Sequence, residues 1–68
     1  MTRQELLINL KSISSGTVAH AIGNCKYSAI DKAIQNSILY AYEIATDAEI
    51  ATIDCNLASI LDFIVSHK

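Results

Sequence analysis

Proline is absent from these 68 residues and glycine occurs only twice. Average usage would supply about three prolines and about five glycines, the residues that punctuate sandwiches, barrels and disordered tails. A chain without that punctuation, half apolar and rich in Ile, Ala and Leu, is expected to be helical. The fold class expected from sequence is all-α: a single domain over residues 1–68, built as a small bundle of three to four helices.

Start signals divide the chain. Thr2 followed by Glu5 is a capping box, and Leu6, Leu7, Leu10 and Ile13 then recur at helical spacing. This predicts a first helix from Arg3 to Ser12 or Ile13, broken by Ser14, Ser15 and Gly16. Val18, Ala19 and Ile22 predict a short second helix over Thr17 to Ile22, stopped by Gly23 and Asn24. Ser28 with Asp31 reads as a second capping box, opening a helix to Ala45 with Asn24 as an earlier possible start. Its stripe is Ile30, Ala33, Ile34, Ile38, Ala41, Ile44 and Ala45, yet Leu39, Tyr40 and Tyr42 lie off it. A surface helix would carry a polar face there, so more than one side of this helix is expected to be covered.

Thr46 with Glu49 forms a third capping box. Beyond it Ile50, Ile53, Leu57, Ile60 and Ile64 step by three and four, an a/d seam flanked by Ala51, Ala58, Leu61 and Val65. With almost no loop between them, the last two helices are expected to form a C-terminal antiparallel hairpin. A small core offsets the entropy of ordering a chain this short only narrowly. Self-association through Leu39, Tyr40, Tyr42 and the seam residues Ile50, Ile53, Leu57, Ile60 and Ile64 is therefore the expectation, giving a homodimer.

Catalysis is not expected. His20, Cys25 and Asp31 are the one grouping with a thiol, a base and an acid, but no glycine-rich loop or second basic group accompanies them. His20, Cys25, Cys55 and His67 are the soft metal-ligand candidates, and none pairs with another at a helical i, i+4 step. No metal or cofactor is expected. Cys25 and Cys55 read as packed, reduced thiols. No stretch reads as a secretory signal, and the longest apolar run, Ile38 to Tyr42, is closed by Glu43. A soluble cytoplasmic chain without a membrane partner is expected.

Charge is uneven. Residues 1–34 hold Arg3, Lys11, Lys26 and Lys32 against Glu5 and Asp31, whereas residues 35–68 hold only Lys68 against Glu43, Asp47, Glu49, Asp54 and Asp62. Any polyanion must be met by the N-terminal half. That half also contains Ala19 and Gly23 at the spacing of a helix-turn-helix, with Val18 and Ile22 as the apolar face of its first helix. Asn24 stands where an apolar residue usually follows the glycine, and the turn reads one residue long. The run Ser28-Ala29-Ile30-Asp31-Lys32-Ala33-Ile34 resembles the recognition helix of the lambda-type Cro repressors over those seven residues, and the likeness ends at Ile34. The resemblance implies DNA contacts by Lys26, Tyr27, Ser28, Asp31 and Lys32.

Two functions are expected from the sequence. The leading one is a small non-catalytic regulator or inhibitor that binds another protein and itself. The alternative is a helix-turn-helix transcriptional regulator using the segment around residues 17–34. The pI of about 5.4 weighs against the second, because phosphate contacts draw on a dense basic surface.

Overall fold

A computed structural model describes residues 1–23 and 26–67. Among them there is no strand, and five helices follow one another. The first, α1 (Arg3–Ser12), opens on the expected capping box: Thr2 accepts from the Glu5 amide and Glu5 accepts from the Thr2 amide. The Thr2 amide holds the Glu5 carboxyl below its ordinary value, with the Thr2 hydroxyl adding to the effect. Leu6 and Leu10 are fully buried on the inner face of α1.

The second helix, α2 (Ser15–Ile22), starts two residues earlier than the sequence predicts. Ser14 acts as its N-cap, accepting from the Thr17 amide at 3.1 Å, so the expected break over Ser14–Gly16 shrinks to Ile13 and Ser14. Gly23 closes α2 at φ +76° and ψ −173°, a backbone region essentially reserved for glycine.

The third helix, α3 (Tyr27–Leu39), corrects the second capping box. It begins before Ser28, with Lys26 in the cap position and no side-chain cap. Ser28 is therefore already inside the helix, and Asp31 turns outward to accept from the Ser15 hydroxyl of α2. The last turn of the same rod, Tyr40–Ile44, widens into a π-helix: the Ala45 amide reaches the Tyr40 carbonyl, five residues back, at 2.8 Å.

The long fourth helix expected from the seam is two helices, α4 (Asp47–Ala51) and α5 (Leu57–Val65). Two polar side chains divide it. The Thr52 hydroxyl donates back to the Glu49 carbonyl at 2.7 Å, competing with helix continuation, and Asn56 caps a new start by accepting from the Ser59 amide at 2.8 Å. Thr46 does cap α4, accepting from the Glu49 amide. Glu49, however, accepts from the Tyr40 hydroxyl.

The core draws on every element. Leu6 and Leu10 meet Val18, Ile30, Ala33, Ile34, Ala41, Ala45, Ile50, Ile60, Phe63 and Ile64. Helix α1 lies against α3, the π turn, α4 and α5, while α3 also packs on α2 and α5. Ser37 is the one buried polar side chain among the described residues, and its hydroxyl is satisfied by the Ala33 carbonyl at 2.8 Å.

Candidate nucleic-acid interface

The best-organised polar surface lies where α2 meets α3. Burial of Ile30, Ala33, Ile34 and Ser37 on one side of α3 leaves Tyr27, Ser28, Asp31, Lys32 and Gln35 exposed on the other. These positions step by one, three, one and three, so they form a single stripe along the helix.

The start of α2 is tied to this stripe by one hydrogen bond. The Ser15 hydroxyl donates to Asp31 Oδ1. One turn earlier, the Tyr27 hydroxyl lies 3.8 Å from where a Cβ on Gly16 would stand. A groove of about 290 Å³ continues the surface toward α1, and Lys11, Ser15, Asp31, Gln35 and Ile38 line it. Lys11, Lys26 and Lys32 are all exposed on this half of the molecule. Arg3, by contrast, is taken up internally by Ala41 and Asp47.

All five sequence-derived DNA candidates, Lys26, Tyr27, Ser28, Asp31 and Lys32, are thus exposed, and the last four share one helix face. Sequence reading missed Lys11, Ser15 and Gln35. Gln35 continues the same stripe and was legible from spacing, whereas Lys11 and Ser15 come alongside only through the packing of α1 and α2. No family model, curated protein or solved structure matches this chain. Its function is therefore read from geometry and chemistry.

The interface candidates of the C-terminal half are divided. Ile50, Ile60 and Ile64 are buried in the chain's own core, and Ile53 packs against that core half-buried. Leu57 is 56% exposed. The break at Thr52–Asn56 interrupts the seam and leaves Leu57, the first residue of α5, on its exposed side. Tyr40 is half-buried: its ring meets Phe63 edge-on at 5.9 Å and lies 4.2 Å from the His67 ring. Its hydroxyl donates to Glu49 Oε1 at 2.8 Å. That bond raises the phenol above its ordinary value, with burial and the Glu49 charge adding to the effect. Leu39 and Tyr42, three residues apart on the rod, are 52% and 68% exposed, and Ile44, two residues after Tyr42, is exposed as well.

Among the described residues the sulfur and imidazole groups do not converge. His20 is exposed on α2, Cys55 is exposed between α4 and α5, and Cys25 lies outside the described residues. His67 is held at the end of α5, where Nδ1 is 2.6 Å from the Phe63 carbonyl; since a carbonyl only accepts, this nitrogen carries the proton. Among the described residues no three His, Cys, Asp or Glu side chains come together as a metal site. No helix there is long and apolar enough to cross a membrane.

Proposed function

We propose that this chain is a small helix-turn-helix regulator that binds duplex DNA as a homodimer in the cytoplasm, with α3 in the major groove. One observation carries the reading. Two packed helices, separated by four residues of sequence, present Tyr27, Ser28, Asp31, Lys32 and Gln35 in one exposed stripe, with Ser15 and Lys11 alongside. A recognition helix needs this: polar groups that reach base edges, and cations placed for the flanking phosphates.

The acidic pI weighs against it for the chain as a whole, but the acidity is unevenly placed: five of the seven acidic residues lie in residues 35–68. Homodimerisation is inferred from size. Successive major-groove half-sites lie about 34 Å apart, and the longest dimension of one chain is 33 Å. One chain has a single such stripe, so on an operator of two half-sites a second copy supplies the other. Leu39 and Tyr42, both exposed and three residues apart on the rod, are the apolar positions assigned to that contact.

A second reading draws on the same apolar group. Under it the chain is a non-catalytic regulatory or inhibitory protein whose partner is another protein, and α3 is an ordinary solvated helix. Titrating mixed-sequence duplex DNA with the protein, followed by fluorescence anisotropy at low and then moderate salt, separates the two. Binding that weakens steeply with salt and is abolished by Lys32→Glu supports the DNA reading. Absence of binding at low salt removes it and leaves the protein-partner reading.

A further inference from the structure

We infer that Asp31 sets the base preference of the proposed DNA site, by accepting a hydrogen bond from the N4 amino group of a cytosine. The inference rests on the helix-turn-helix reading and adds to it a residue and a base.

Asp31 occupies the middle of the exposed stripe on α3, one turn after Tyr27 and Ser28 and one turn before Gln35. A helix seated in the major groove turns the middle of such a stripe toward base edges and its flanks toward phosphates. A carboxylate cannot be a phosphate contact, since two anions would meet. It is tolerated at this place only where the DNA offers a donor.

The major groove offers two donors, cytosine N4 and adenine N6. Adenine N6 stands beside N7, an acceptor that repels a carboxylate and suits the donor-and-acceptor amide of Asn or Gln. Cytosine N4 has no such neighbour on its own base. The acid therefore selects cytosine, and with it a C·G pair.

The side chain is also held for the task. Ser15 donates to Oδ1 from the neighbouring helix, which engages one carboxylate oxygen while Oδ2 retains its acceptor capacity. Ser15 is thus a positioning residue. Lys32, the next residue of the stripe, is left to the flanking phosphates.

The test begins with selection of binding sites from randomised duplexes by the full chain, followed by anisotropy on the selected site. The expected result is one cytosine per half-site whose replacement by adenine weakens binding about tenfold or more, and Asp31→Asn moves the preference at that position to adenine. Asp31 is exposed, and circular dichroism checks that the variant remains helical.

A second arm uses only the unaltered protein. A duplex in which that cytosine lacks its N4 amino group should lose the same factor in affinity. In a third arm, Ser15→Ala should narrow the cytosine-over-adenine ratio with little change in binding to mixed-sequence DNA. If Asp31→Asn selects the same sequence with the same discrimination, or if removing the N4 amino group costs nothing, the assignment to Asp31 is overturned while DNA binding stands. If the unaltered chain binds no duplex at low salt, the helix-turn-helix reading itself fails.

Discussion

The guanidinium of Arg3 caps the end of a helix 38 residues away, its Nη1 donating to the Ala41 carbonyl at 2.8 Å. The last carbonyls of a helix have no partner within it, and the π turn at Tyr40–Ile44 leaves Ala41 among them. The same side chain reaches Asp47 Oδ1 through Nη2 at 2.7 Å. Arg3 thus joins the start of α1, the end of the α3 rod and the start of α4.

Its two bonds are unequal. Asp47 is 93% exposed, and surface ion pairs contribute about 1 kcal/mol or less. The Ala41 carbonyl is part-buried, and leaving it without its charged donor costs more. Arg3→Ala is expected to lower the unfolding free energy by about 1–2 kcal/mol, and Asp47→Ala by about 0.5 kcal/mol. Urea titrations of both variants check this; equal losses would mean that the ion pair, not the cap, is what matters.

Two side chains tie stability to pH at opposite ends of the scale. The folded state lowers the Glu5 carboxyl below 4.5, so its contribution is present above that value and is lost as pH falls through the lowered folded value. Glu5→Gln keeps a capping-box acceptor without a titrating group, and its stability curve should fall less on acidification. Tyr40 is raised above 10.0 by donating to Glu49. Its contribution is present below 10.0 and is lost as pH rises through the raised folded value. Tyr40→Phe should remove that alkaline loss, seen as thermal midpoints that converge with the parent's at high pH.

The broken seam gives the cleanest contrast in packing. Ile64 is buried and Leu57 is exposed, although both fall on the a/d pattern of the sequence. Ile64→Ala should cost about 2–5 kcal/mol through lost burial and a residual cavity. Leu57→Ala should stay within about 0.5 kcal/mol in the isolated chain. Equal costs in thermal or urea unfolding would mean that Leu57 is covered in solution as fully as Ile64.

That contrast also marks how far the sequence carries. The all-α class, the Thr2 and Thr46 caps, the ends of α1 and the existence of α2 were legible, because capping chemistry and apolar spacing are local. The break at Thr52–Asn56 was not, since an uninterrupted three-four pattern concealed it. Its signals were the polar run Asp54-Cys55-Asn56 and a Thr able to bond back to Glu49, and they decide the geometry only together. Asp31 was misread for a related reason. Ser28 and Asp31 have capping-box spacing, but their roles depend on where α3 begins and on Ser15 arriving from α2. Of the candidate site, the stripe on α3 could be read from period alone; the contributions of Lys11 and Ser15 are tertiary.

Salt dependence links the two proposed surfaces. Each chain offers Lys11, Lys26 and Lys32 on the half that carries the stripe, because Arg3 is engaged internally. Neutralising three phosphates gives a slope of log K against log salt of about −3, and a dimer bringing six lysines gives about −5. The unaltered chain should show the steeper value together with a dimeric mass by light scattering. Leu39→Glu with Tyr42→Glu places charges on exposed positions of the apolar group, so the chain should remain helical while the mass halves and the slope falls to about −3. A double variant that stays dimeric with the slope unchanged would move the contact between copies away from Leu39 and Tyr42. Leu57 and Val65 on α5 would then be the exposed apolar positions to replace next.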